Sequence, residues 1–101
     1  MAVDRRPFWR SGTCSVWVEY DDWGSLVFHG DDSAYMGDPE RSYEYWVTVA
    51  PQEFPKLRSA LGGDPADDLF DLVCSRADTI MAHGERSWLD HQGIDRSFHC
   101  Y

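Results

Sequence analysis

The chain has 101 residues, of which 43% are hydrophobic and 15% aromatic, and it carries a formal net charge of −9. Its length fits a single domain, and its apolar content argues against a disordered chain. The acidic charge disfavours direct binding to nucleic acid or to an anionic membrane surface, because both depend on clustered lysine and arginine.

The sequence has no uncharged run of about 18 residues, the length that a membrane span needs, and no apolar segment follows the arginines near its start. We therefore expect no signal peptide and a cytoplasmic protein. The cysteines, Cys14, Cys74 and Cys100, are odd in number and form no C-x-x-C pair. They predict neither a disulfide framework nor a zinc knuckle.

Residues 1–12 show no hydrophobic period and are predicted to be a loose N-terminal arm, followed by a single domain over residues 13–101. Residues 13–20 alternate between apolar and polar positions, as a half-buried strand does. A turn, D-D-W-G, follows at 21–24, and the strand pattern resumes over 25–29. This order predicts a β-hairpin.

The longest stretch without a hydrophobic period is the acidic segment 30–41. Irregular segments of this length inside a compact domain are often functional.

A second alternating stretch, YEYWVTV, occupies 43–49. The alternation predicts a third antiparallel strand, with Val47 and Val49 facing the core.

The second half of the sequence predicts helices. Pro51 stops the strand, and apolar residues at helical spacing predict a helix over 52–61 that ends at Gly62-Gly63. Asp64 and Pro65 are predicted to begin a second helix, whose apolar stripe is Leu69, Phe70 and Val73.

Residues 77–83 allow either an extension of that second helix or a separate piece. A short helix is predicted over 85–92, with Gly93 as its stop. A fourth strand at the sheet edge is predicted over 97–101. The predicted fold is therefore α+β, with a three- or four-stranded, mainly antiparallel sheet and two or three helices packed on one face.

The sequence gives no motif for a metal site, a cofactor or catalysis. His83, His91 and His99 recur every eight residues, but glycines interrupt the chain between them, and no H-x-x-x-H motif is present. The acidic segment lacks the D-x-D-x-D-G pattern of a calcium loop. No G-x-S-x-G motif or phosphate-binding loop occurs. We therefore expect no cofactor, no metal and no enzymatic activity.

The side chains on the two faces of the predicted sheet give a further indication of function. If Val47 and Val49 face the helices, then Trp17, Glu19, Glu44 and Trp46 lie on the opposite face of the sheet. Large aromatic side chains beside carboxylates are typical of interaction surfaces. The alternative is that Phe8 and Trp9 of the N-terminal arm cover this face.

Three motifs occur in the order Y-E-Y-W-V-T-V-x-P (43–51), L-x-x-A-L-G-G-D (57–64) and W-L-x-x-x-G-I (88–94). This order resembles small uncharacterised acidic bacterial proteins, a general kind of compact protein that includes immunity or inhibitor proteins. The resemblance implies a protein that neutralises a partner protein. It covers about half of the chain, its motifs are structural, and it assigns no functional residue.

We therefore predict a non-enzymatic acidic protein that binds, and by the resemblance inhibits, a basic macromolecular partner. An immunity-type inhibitor would concentrate aromatic and acidic side chains in one patch, whereas a mimic of nucleic-acid charge would arrange carboxylates in a row. The segment from Glu19 to Glu44 carries a net charge of −7. The predicted partner-binding residues are Glu19, Asp21, Asp22, Trp23, Asp31, Asp32, Tyr35, Met36, Asp38, Glu40, Glu44 and Trp46.

Two other functions fit the sequence. One is a small enzyme or ligand-binding domain with its site near His29 and the segment 30–41. The other is a structural homodimer that uses its exposed tryptophans as the interface.

Overall fold

The fold is α+β and is built on a five-stranded antiparallel sheet. A computed structural model of the chain describes residues 5–12, 14–32 and 43–100. The strands pair in chain order, β1-β2-β3-β4-β5. Their bounds are β1 Arg5–Ser11, β2 Cys14–Tyr20, β3 Leu26–Asp32, β4 Tyr43–Val49 and β5 Ser97–Cys100.

Four short helices lie between β4 and β5. A 3-10 turn, Pro51–Glu53, leads into them. The helices are α1 Phe54–Ala60, α2 Leu69–Ser75, α3 Ala77–Met81 and α4 Glu85–His91. None of the helices in the described ranges is long and apolar enough to cross a membrane.

The core lies on one face of the sheet. Alternate residues of β2, β3 and β4, among them Val18, Phe28 and Val47, are fully buried. Buried residues from all four helices join them in one cluster, and the predicted stripe of Leu69, Phe70 and Val73 belongs to it. The helices therefore pack on the side that the alternation predicted for Val47 and Val49.

The prediction of a loose arm over residues 1–12 was wrong for Arg5–Ser11, which forms the edge strand β1. The register of β1 against β2 shifts between Pro7 and Trp9. This bulge turns Phe8 into the core, where it is 7% exposed and meets the Phe28 ring edge-on at 5.3 Å. An irregularity of this kind breaks the two-residue period, so the strand pattern is absent from this part of the sequence. The sheet consequently has five strands rather than three or four.

The predicted start of the second helix was also wrong. The N-cap of α2 is Asp68, whose carboxylate accepts the Asp71 backbone N–H. Asp64 instead belongs to a turn in which its own N–H donates to the Asp67 carboxylate. An aspartate followed by proline fits such a turn as well as a helix start. Residues 77–81 form the separate helix α3, which brings the number of α-helices to four.

The end of α4 follows the predicted pattern. Gly93 takes a φ of 71°, and the Ile94 N–H donates to the Leu89 carbonyl at 3.0 Å. Ile94 is buried beneath this cap. The cap leads the chain into β5, which pairs with β4 at the sheet edge.

Gly30 and Tyr45 occupy paired positions on β3 and β4. The Tyr45 ring lies directly over Gly30, so that a β-carbon added at Gly30 would overlap the ring. The Tyr45 hydroxyl donates to the buried carboxylate of Glu85 at the start of α4. Gly30 therefore gives the tyrosine the space to connect the sheet to α4.

We expect Gly30→Ala to lower the free energy of unfolding by about 1–3 kcal/mol, because the added methyl group overpacks the Tyr45 ring. Chemical denaturation measures this loss. The matched control is Gly30→Ala in a Tyr45→Ala background, where the added methyl group should cost much less. Equal losses in both backgrounds would contradict the proposed overlap.

Glu53 is a buried carboxylate with two partners. It accepts the Asp95 backbone N–H at 2.8 Å and lies 3.3 Å from the Lys56 ammonium. These contacts, chiefly the one with Asp95, lower the pKa of Glu53. The carboxylate thus connects the 3-10 turn to the segment that precedes β5.

Because the folded-state pKa of Glu53 is lowered, its contribution to stability is complete above the unfolded value of about 4.3 and is lost as the pH falls through the folded value. Glu53→Gln should therefore lower Tm at pH 7 and reduce the fall in Tm between pH 7 and pH 3. Lys56→Gln should change that fall less, because the Asp95 N–H is the stronger partner. An identical fall in Glu53→Gln and the parent would disprove this role.

Candidate functional site

The face of the sheet opposite the core, which we call the open face, carries a row of aromatic side chains. Trp17 pairs with His29, His29 with Trp46, and Trp46 with His99, on β2 to β5 in turn. Directly paired residues of antiparallel strands project from the same face. The register therefore places these four rings, the aromatic row, side by side across the sheet.

The rings of the aromatic row are in contact. His29 stacks on Trp46 with ring centroids 4.9 Å apart and an interplanar angle of 16°. Trp17 lies 6.0 Å from His29 on the other side, and His99 lies 5.5 Å from Trp46. Both tryptophans are half-buried, and His99 is exposed. The row is thus a continuous aromatic surface that solvent reaches.

His29 is the polar centre of this row. Its Nε2 lies 2.7 Å from Glu44 Oε2, and its Nδ1 lies 2.9 Å from Nη2 of Arg5. A guanidinium can only donate hydrogen bonds. Nδ1 must therefore be the acceptor, and Nε2 carries the proton and donates it to Glu44. The two contacts define the tautomer of His29 that carries its proton on Nε2.

Arg5 completes the arrangement from the edge strand β1. Its guanidinium carbon lies 4.3 Å from the centroid of the Trp17 ring, in cation–π geometry. Its cross-strand partner is Glu19, whose Oε1 lies 3.7 Å from His29 Nδ1. Trp17, His29 and Glu19 border the Arg5 side chain, and we call these three residues the Arg5 seat.

The open face is also acidic. Asp31 and Glu44 are direct partners on β3 and β4, and Glu19 lies on the same face of β2. Like charges placed opposite each other on a sheet repel. A positive charge that approaches this face would relieve that repulsion.

The structure places the predicted partner-binding residues in more than one location. Glu19, Asp31, Glu44 and Trp46 lie on the open face. Asp32 pairs with Cys14 on β2 and with Tyr43 on β4. These positions belong to the other face of the sheet and not to the open face. Tyr35, Met36, Asp38 and Glu40 lie outside the described residues.

The other predicted residues form the turn between β2 and β3. Asp21 has a structural role there, because its carboxylate accepts the N–H groups of Trp23 and Ser25, each at 2.9 Å. Asp22 is exposed beside it. The Trp23 side chain projects from the tip and is 85% exposed. The turn adds an isolated aromatic group next to the Glu19 end of the open face.

Phe8 and Trp9 do not cover Trp17 and Trp46, contrary to the alternative prediction. Phe8 is in the core and Trp9 packs against its edge. The strand β1 instead lies beside β2 and supplies Arg5 to the open face. Arg5 and His99 were not predicted as members of this surface, and His29 was predicted only for the alternative enzyme site.

A second group of polar side chains lines a cavity of about 240 Å³ between β4, β5 and α4. Tyr45 and Glu85 line this cavity, and the Tyr45 hydroxyl donates a hydrogen bond to Glu85. Burial, with the negative charge of Glu85, raises the pKa of the Tyr45 hydroxyl. The phenol therefore stays protonated at neutral pH and serves as a structural donor rather than as a base.

Within residues 5–12, 14–32 and 43–100, no three histidine, cysteine, aspartate or glutamate side chains are placed to hold a metal ion. Comparisons of the chain with protein-family models, with curated proteins and with solved structures found no match. The functional argument therefore depends on the geometry of the open face and on the charge of the chain.

The tautomer of His29 can be measured. We expect long-range ¹H–¹⁵N NMR spectra of the neutral imidazole to place its proton on Nε2 and to show Nδ1 as an unprotonated acceptor. Arg5→Ala should perturb the Nδ1 resonance, whereas Arg10→Ala on the same strand should leave it unchanged. A proton on Nδ1 of the neutral ring would contradict the Arg5 contact.

Proposed function

We propose that this chain is a non-enzymatic binding protein that uses the open face to hold a basic partner protein. The observation that carries the proposal is the aromatic row, whose central histidine lies between Glu19 and Glu44 on the sheet face opposite the helices. Aromatic anchors supply contact area at low entropic cost, and the surrounding carboxylates select for positive charge.

The charge of the chain favours a basic partner over the alternatives. A second copy would bring another net charge of −9 to the same surface, and nucleic acid would bring phosphates. Both would be repelled at long range. A basic protein would instead be attracted, and its association rate would rise as the salt concentration falls.

The pattern of the open face supports an immunity- or inhibitor-type protein more than a mimic of nucleic-acid charge. Trp17 and Trp46 lie between the carboxylates, so that acids and aromatic rings share one patch. A charge mimic needs carboxylates in a row, without large apolar groups between them. Inhibition of the bound partner is part of this proposal.

The size of the open face limits how the partner can bind. Four strands of seven residues and one of four, at about 4.8 Å spacing and about 3.3 Å per residue, give a face of about 500 Å². A standard interface buries about 800 Å² on each side. The contact must therefore extend beyond the sheet. The exposed Trp23, at the tip of the turn between β2 and β3, provides further surface next to the open face.

A defined cationic peptide tests this proposal. The probe is a ten-residue peptide with arginine and lysine in equal number, titrated by isothermal calorimetry at 50 and 200 mM salt. Glu19→Gln combined with Glu44→Gln should weaken binding roughly three- to tenfold at low salt, since it removes two solvent-accessible carboxylates that can pair with the cations of the peptide. Circular dichroism should show that the fold and Tm are retained.

The matched control combines Asp64→Asn with Asp78→Asn, which removes the same charge from exposed positions on the helical side of the chain. It should weaken binding less than twofold. If both double variants weaken binding equally, only the net charge matters and the open face is not the binding surface. Light scattering of the free protein should show a monomer, and a dimer would favour the homodimer alternative.

A further inference from the structure

The structure of the open face contains a bound guanidinium, that of Arg5. We propose that the Arg5 seat is an arginine-recognition site, which takes an arginine side chain of the partner and which Arg5 fills in the unbound chain. This inference rests on the proposed function, and it specifies which cationic side chain the open face selects.

The seat makes two contacts with a guanidinium and places a carboxylate beside them. The Trp17 ring provides a flat aromatic face, with the Arg5 guanidinium carbon 4.3 Å from its centroid. His29 Nδ1 provides an acceptor at 2.9 Å from Nη2 of Arg5. Glu19 Oε1 lies 3.7 Å from His29 Nδ1. A planar guanidinium can stack on the ring while its N–H groups donate to the imidazole, and the Glu19 carboxylate adds negative charge next to it.

These contacts favour arginine over lysine. An ammonium group is a compact and strongly hydrated charge that does not stack as a plane on an indole ring. The guanidinium is planar and less strongly hydrated, and its five N–H donors have a fixed geometry. The seat thus discriminates by shape and by donor geometry, whereas the wider acidic face discriminates by charge alone.

The acceptor at Nδ1 is held in place from the opposite side of the histidine. Glu44 accepts a hydrogen bond from Nε2–H, with Nε2 and Oε2 2.7 Å apart, and Trp46 stacks on the ring with centroids 4.9 Å apart. His29 has a side-chain exposure of only 13%. Glu44 and Trp46 are therefore positioning residues that keep the lone pair of Nδ1 directed at the seat.

Arg5 can leave the seat at low cost. It is exposed and lies at the start of the edge strand β1, which pairs on one side with β2. Its contacts are made by the side chain, so a rotamer change frees the seat without unpairing the strand. An incoming arginine would make the same contacts and would also bring the rest of the partner.

The test compares two peptides that differ only in their cations. Each has ten residues, with three arginines in one and three lysines in the other, separated by glycine and serine. Binding is followed through the indole N–H signals of Trp17 and Trp46 in ¹H–¹⁵N spectra. The proteins are the parent, Arg5→Ala, Arg10→Ala and Trp17→Leu, each checked for its fold by circular dichroism.

We expect the arginine peptide to bind more tightly than the lysine peptide and to shift the Trp17 signal. Arg5→Ala should tighten binding of the arginine peptide about two- to fivefold, the range that an exposed cation–π contact supports. Arg10→Ala makes the same charge change. It should tighten binding of both peptides equally, and by less than Arg5→Ala tightens binding of the arginine peptide. Trp17→Leu should remove the preference for arginine while weaker binding of both peptides remains.

Equal binding of the two peptides to Arg5→Ala would overturn the arginine site, and so would an equal effect of Arg5→Ala and Arg10→Ala. If binding in that case still shifts the Trp46 signal, the open face remains a general cation-binding surface. If neither peptide binds any of the four proteins, the arginine site and the proposed function both fail.

Discussion

The unbroken register of β2, β3 and β4 is the constraint on which both faces of this protein depend. Seven residues of each strand pair without a slip. The pairing aligns Val18, Phe28 and Val47 in the core, and because of the pleat the same register aligns Trp17, His29 and Trp46 on the open face. A slip of one residue would exchange the two sets. The burial of the core thus also fixes the geometry of the aromatic row.

Two buried polar contacts lie where the sheet meets the helical segment. Tyr45 crosses Gly30 to reach Glu85, and Glu53 receives the Asp95 N–H, so that two buried carboxylates connect the sheet and the helical segment. Both carboxylates have a donor of fixed position, which offsets the cost of their burial. These contacts determine how β4 and β5 meet the helices, and thereby where Trp46 and His99 lie.

Much of the fold was predictable from local patterns. Alternation located β2 and β4, and Gly93 located the end of α4, because each signal arises within a few residues. β1 was not predictable, since the bulge at Pro7 to Trp9 breaks its period. The open-face positions of Trp17 and Trp46 followed from the alternation of side chains along their strands. The contact between Arg5 and His29 did not, because it spans 24 residues and depends on the β1 register. In such a case a sequence shows the residue types but not their partners.

The tautomer of His29 connects the chemistry of the open face to its selectivity. Its Nε2–H donates to Glu44, which leaves Nδ1 as an acceptor for a donor on the other side of the ring. The guanidinium of Arg5 occupies this acceptor. An incoming cation would therefore have to replace Arg5 at Nδ1. For that reason the shape and donor geometry of the cation, and not only the number of carboxylates around it, determine which cation fits the seat.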